Sequence, residues 1–189
     1  MTFEPEPIQF SLSEEALWAA VYTQPLHEFR LYRYFQEHGI PAYLPVVPEI
    51  KQHRVHTQEK LYSYQKTVWR PMFRSYVFAQ MTEDQKNDSY RSHSIIRIWP
   101  VAREDQSAFL DELRGVRMME QLAKTAPLEF RQDIQVKDRF LIESPPYEGT
   151  YGYLLEKRKQ FLWVVKIELF NTAIVAEIDP ADYKMTKVE

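Results

Sequence analysis

Trp18-Ala-Ala-Val-Tyr-Thr23 and Arg70-Pro-Met-Phe-Arg-Ser-Tyr-Val-Phe78 decide how this chain folds. Both read as strands, and side-chain parity splits each into two faces, because alternate residues of an extended chain point to opposite sides. Trp18 and Tyr22 share a side opposite Ala19 and Val21, and Tyr76 and Phe78 share a side opposite Val77, Ala79 and Met81. One sheet therefore carries small apolar residues on one side and large rings on the other. With helices over the small residues, the ring side still needs a cover. Parity allows two: the chain's own tail or C-terminal part, or a separate molecule.

Outward from these stretches the pattern alternates strand and helix. Leu26 to His38 reads as a helix, with Glu28, Leu31 and Phe35 on one face. Gly39 is placed to cap it and Pro41 blocks its continuation. Pro41-Ala-Tyr-Leu-Pro-Val-Val47 follows as a strand in which Pro45 marks a sheet edge or bulge. Pro48 to Thr67 is polar and mildly basic, with Lys51, Arg54, Lys60 and Lys66 against Glu49 and Glu59, and reads as a long loop or exposed hairpin. Thr82 to Arg91 is expected as a short helix and Ile95 to Trp99 as a fourth strand. Glu104 to Lys124 is expected as a helix with Phe109, Leu113 and Val116 on its apolar stripe. Past Pro127 the character changes. Arg139–Ile142, Tyr153–Leu155, Phe161–Leu169 and Thr172–Ile178 read as short strands, separated by turn signals that include Lys157-Arg-Lys159 and Phe170-Asn171. Such a run of short strands suggests a small closed barrel. The fold class is α+β, an α/β module joined by a short linker to a β-barrel.

Bulk properties narrow the function. The chain has 189 residues, enough for a real core, and a net charge of -3, which argues against a general coater of nucleic acid. It has no cysteine, which fits a reducing cytoplasm and excludes disulfides and thiolate metal sites. No apolar run approaches the length that spans a membrane, so no membrane partner is expected. Residues 1–15 read as a flexible tail. From Asp133 to Glu189 there are 8 Lys and Arg against 10 Asp and Glu, a balance that does not favour nucleic acid. No Gly-rich phosphate loop, Gly-x-Ser-x-Gly or cysteine nucleophile is present. His53 and His56 lack an assured third ligand for a metal. Asp179-Pro-Ala-Asp182 is turn chemistry. The chain reads as a non-enzyme with no cofactor and no metal.

Trp18-Ala-Ala-Val-Tyr-Thr-Gln-Pro25, Glu28, Gly39-Ile-Pro-Ala-Tyr-Leu-Pro45 and Pro71-Met-Phe-Arg-Ser-Tyr-Val-Phe78, in this order and spacing, resemble the N-terminal domain of NusG-type transcription factors. Val136-Lys-Asp-Arg-Phe140, Ser144-Pro-Pro-Tyr-Glu-Gly-Thr-Tyr-Gly152, Ile167-Glu-Leu-Phe170 and Val175-Ala-Glu-Ile-Asp179 are similar to the family's KOW domain. The resemblance implies a ferredoxin-like NGN domain at 16–124, a linker at 125–132 and an SH3-like KOW barrel at 133–189. Arg74-Ser75 stands where the family usually has Pro-Gly or Pro-Asn, and Lys137 where it has glycine. These departures suggest a specialised member, nearer to operon-specific relatives such as RfaH.

The resemblance implies specific partners. Tyr22, Phe73, Tyr76 and Phe78 fall on or beside the patch that holds the clamp helices of the largest RNA polymerase subunit, so suppression of pausing or termination is the expected activity. Tyr34, His38, Ser92 and His93 fall where specialised relatives touch non-template DNA, and they read equally well as surface residues with no DNA role. Tyr147 occupies the aromatic turn through which the KOW domain meets a ribosomal small-subunit protein or a termination factor. Two other readings stay open: a housekeeping factor that modulates pausing and termination, and an RNA- or ribosome-binding module.

Overall fold

A computed structural model describes residues 8–56, 61–132, 134–157 and 160–188, with backbone alone at 53–56 and 61–62. The first sheet is built from β1 (Leu17–Thr23), β2 (Ala42–Tyr43), β5 (Tyr76–Met81) and β6 (Ile95–Pro100). It runs in the order β2-β5-β1-β6 with every neighbour antiparallel. With α1 (Glu28–Glu37) between the first two of these strands and α2 (Glu83–Ser89) between the last two, this is the ferredoxin-like order. Helix α1 buries Leu31 and Phe35 against Ala19, Val21, Val77 and Ala79, so the small-residue face gains its helix as parity required. Gly39 follows α1 at φ 64°, the left-handed conformation that ends helices. Thr82 starts α2 with a capping box closed by Gln85.

Two expected strands break where the sequence reading ran them through. Pro41 to Val47 is two pieces: β2 ends at Tyr43, and Val46 opens β3 (Val46–His56), which pairs with β4 (Leu61–Pro71) in a separate hairpin. The break has a cause. The Val46 N–H leaves the sheet and donates to Glu120 Oε1 at 3.1 Å. Arg70 to Phe78 is also two pieces, because Met72–Ser75 turns the chain between β4 and β5, with Ser75 at φ 62°. Residues 57–60 of the hairpin, including Lys60, lie outside the described residues, as do the side chains of Arg54, His53 and His56.

Helix α3 (Gln106–Leu122) lies across the ring face of the first sheet. Its start is fixed by Gln106, buried, which accepts from the Trp18 N–H at 2.9 Å and donates to the Trp18 carbonyl at 2.9 Å. Its end is fixed by Glu120, buried, which accepts from the Tyr43 hydroxyl at 3.1 Å as well as from Val46. Burial holds the Glu120 carboxyl above its usual range, against the lowering effect of its hydrogen bond to Val46 and of Arg117.

The second sheet contains β7 (Leu128–Gln132), β8 (Arg139–Ile142), β9 (Thr150–Lys157), β10 (Gln160–Ile167), β11 (Thr172–Ile178) and β12 (Met185–Val188). The order is β12-β8-β9-β10-β11-β7, all antiparallel. A closed barrel was expected. Instead β7, from the stretch read as linker, takes the edge of β11, and among the described residues no pairing joins β7 to β12. Lys157 ends β9; Arg158 and Lys159 of the expected hairpin tip lie outside the described residues. One hydrophobic core runs from Trp18 and Phe78 through Leu113 and Val116 of α3 to Trp163 and Ile174 of the second sheet. Ile8 and Phe10, from the stretch read as tail, pack against it, with the Phe10 ring 5.2 Å from Tyr43 and 5.6 Å from Trp18.

Candidate functional site: a ring face and its cover

The register of β1 and β5 sets Tyr22 opposite Tyr76 and Ala20 opposite Phe78, which brings the two tyrosine rings to 5.1 Å. Phe73 joins them from the Met72–Ser75 turn, 6.0 Å from Phe78. The turn is held by Glu28, the one carboxylate at the start of α1. Its Oε1 accepts from the Ser75 N–H at 2.7 Å while the Ser75 carbonyl accepts from the Thr23 N–H at 2.8 Å. A buried acid in the first turn of α1 therefore positions the rings of Tyr76 and Phe78, one and three residues beyond the turn. The left-handed Ser75 falls at the position where the resemblance expects glycine or asparagine, the residues that accept that conformation most easily.

The ring face is not bare. Phe170, in the short helical turn Glu168–Phe170 between β10 and β11, lies 4.2 Å from Tyr76, 5.6 Å from Phe73 and 6.0 Å from Phe78. Phe130 of β7 approaches Phe73 at 6.4 Å and Phe109 of α3 approaches Phe78 at 5.8 Å. Phe78 is 0% exposed and Phe73 7%, whereas Tyr22 and Tyr76 are half-buried. Burial, then the neighbouring Tyr22, pushes the Tyr76 hydroxyl above its usual range. The chain itself covers its ring face, through the Glu168–Phe170 turn, β7 and α3, with Phe10 over Trp18.

That sheet is seated through α3. A side chain at Gly115 would place its Cβ 2.7 Å from Val165 Cγ1 on β10, so only glycine lets helix and strand approach this closely. One turn earlier Glu112 meets the same sheet, accepting weakly from the Glu168 N–H at 3.4 Å. Burial raises its carboxyl from 4.5 to about 7.

The other expected residues separate into two groups. Tyr34 and His38 stack at 4.0 Å on α1, and the Tyr34 hydroxyl reaches the Asp88 carbonyl at 3.4 Å, which ties them to the segment holding Ser92 and His93. Ser92 is turned inward, its Oγ accepting from the Ser94 N–H at 3.2 Å, while His93 is exposed at φ 53°. Tyr147 lies far along the chain in its own setting, 5.9 Å from Tyr183 and partly packed on the core. Burial raises its hydroxyl. Sequence reasoning did not single out Phe170, Phe130 or Gly115. Phe170-Asn171 was legible as a turn, and Asn171 does adopt φ 45°, but nothing local says which surface a turn will meet. Among the described residues no cluster of His, Asp and Glu could hold a metal ion, and no helix is long and apolar enough to cross a membrane.

The ferredoxin-like layer thus gathers its rings on one face, and the chain's own later residues lie over them. Residues 16–116 match the family model described as transcription termination factor nusG. The chain belongs to the NusG family, whose members are transcription factors that act on elongation and termination and bind RNA polymerase. No curated protein matches the chain.

Proposed function

We propose that this protein is an elongation factor that holds the clamp helices of the largest RNA polymerase subunit on Tyr22, Phe73, Tyr76 and Phe78. By keeping the clamp shut it suppresses pausing or termination, on particular operons and in the cytoplasm. Residues 16–124 serve as the NGN domain and 133–189 as a KOW domain of SH3-like descent. Tyr147 on that domain meets a ribosomal small-subunit protein or a termination factor. His93 and the stacked Tyr34 and His38 face the non-template strand.

One observation carries the reading: Phe170 fills a nest of three rings with a fourth. A surface shaped to take an apolar side chain from a turn can take one from a helix, a common mode of recognition. Docking then requires the second sheet to lift away, so uncovering controls binding. Capture of purified core polymerase tests this. Phe170→Ala increases capture, and Tyr76→Ala, at a half-buried position, decreases it in the Phe170→Ala background. Undiminished capture by the double variant refutes the site.

A further inference from the structure

The second sheet meets α3 over a small cavity of about 190 Å³. Asp111 and Glu112 line it from α3, Arg139 from β8, Tyr151 and Tyr153 from β9, and Lys166 and Glu168 from β10 and the turn that follows it. Three carboxylates thus face two cations, and both cations are engaged. Lys166 lies 3.0 Å from Glu168, and Arg139 lies 3.5 Å from Asp111 and over the Tyr151 ring at 4.4 Å. Asp111 takes a second cation, Arg114 of its own helix, at 2.8 Å. Glu112 is the carboxylate left over, with no ion pair among the described residues. The Glu168 N–H reaches it at 3.4 Å, too far to settle a charge.

The place of this leftover acid gives it leverage. Glu168 opens the turn that carries Phe170, the ring seated on Tyr76. A charge on Glu112 in the closed cavity loses water and gains no cation, whereas a proton removes that cost. Lifting the second sheet opens the cavity and returns Glu112 to water on the surface of α3. The covered form therefore holds a proton that the open form releases. We propose that Glu112 is a proton-operated latch: protonated, it lets the second sheet rest on the ring face, and ionised it favours release. No histidine, the usual switch near neutral pH, lines the cavity. The sign follows from linkage. Burial, the largest influence, raises the Glu112 carboxyl from 4.5 to about 7 in the covered form. Its contribution to covering is fully present below about pH 4.5 and is lost as pH rises through about 7. The latch itself does not rest on the polymerase reading; its consequence, that acidification keeps polymerase off the rings, does.

The test reads the open and covered fractions of the full chain without polymerase, by single-molecule energy transfer between dyes on Glu83→Cys of α2 and Glu177→Cys of β11. At constant ionic strength the ratio of open to covered forms rises about tenfold between about pH 6 and pH 8. Gly115→Ala, which crowds Val165 and raises the open fraction, carries the same measurement where the parent opens too rarely to count. Glu112→Gln cannot ionise and leaves the ratio flat across that range. Glu156→Gln, at an exposed carboxylate of β9, keeps the tenfold rise. A flat ratio in the Gly115→Ala chain overturns the proposal, as does a rise that persists with Glu112→Gln or disappears with Glu156→Gln. Capture of core polymerase at the two pH values is measured separately. Opening that follows pH while capture does not supports the latch and refutes the polymerase reading, which tells the two claims apart.

Discussion

Gly115→Ala is the smallest change that should unseat the second sheet. The added Cβ would lie 2.7 Å from Val165 Cγ1 and 3.1 Å from Cγ2, against the 3.4 Å at which ordinary contact begins. Val165 cannot step aside cheaply. It is β-branched, 2% exposed and paired with Ile174 of β11, in a strand that has a neighbour on each edge. Overpacking of this kind costs about 1–3 kcal/mol. The same substitution improves helix propensity by about 1 kcal/mol, but α3 gains that whether or not the sheet is seated. It therefore cancels from the ratio of open to covered forms, which rises by about 5- to 150-fold at 1.4 kcal/mol per decade. Because the chain has no cysteine, two can be introduced for spin labels, at Glu83 on α2 and Glu177 on β11. The parent should give one narrow distance distribution and Gly115→Ala an added longer component. Val165→Ala in the same chain removes both methyls and should restore the narrow one. A single unchanged distribution in Gly115→Ala, with thermal stability raised by the better helix former, would refute the reasoning.

Three further outcomes follow from the same contacts. Glu112 has its carboxyl raised to about 7 in the folded chain, against 4.5 as its ordinary value. Its protonated form is favoured by folding, so the contribution is fully present below about pH 4.5 and is lost as pH rises through about 7. The difference is at most about 3 kcal/mol, and Glu112→Gln should flatten the stability of the parent chain across that window in urea titrations. Glu120→Ala leaves the Tyr43 hydroxyl and Val46 N–H without their acceptor and should cost about 3–5 kcal/mol by denaturation, whereas Tyr43→Phe should cost about 1 kcal/mol. Ser75→Gly relieves a left-handed serine and should raise the melting temperature, by about 0.5–1 kcal/mol of stability, without loss of the Glu28 contact.

Much of the first layer was legible because its signals are local. Parity put Trp18, Tyr22, Tyr76 and Phe78 on one side, and the large core holds Trp18, Phe78 and Tyr76 together. The spacing of Glu28, Leu31 and Phe35 put three buried residues on one helix face. The same reading ran strands through Pro45 and through Met72–Ser75, because an apolar run looks alike whether or not its backbone hydrogen bonds leave the sheet. What takes the Val46 N–H is Glu120, 74 residues away, and no periodicity reports that.

The sequence alone determined the two faces of the first sheet and the helix over one of them, while for 48–67 it left a long loop and an exposed hairpin both open. A period of two or 3.6 residues is fixed by the local backbone and is written in neighbouring side chains. Only the tertiary structure decided what lies on the ring face. Phe170 meets Tyr76 across 94 residues of chain, and β7 joins the edge of β11, through contacts whose partners are chosen by shape and burial rather than by spacing. Gly115 joins these two levels: its type is plain in the sequence, but the reason for it is a valine 50 residues on, visible only when helix and strand are packed together.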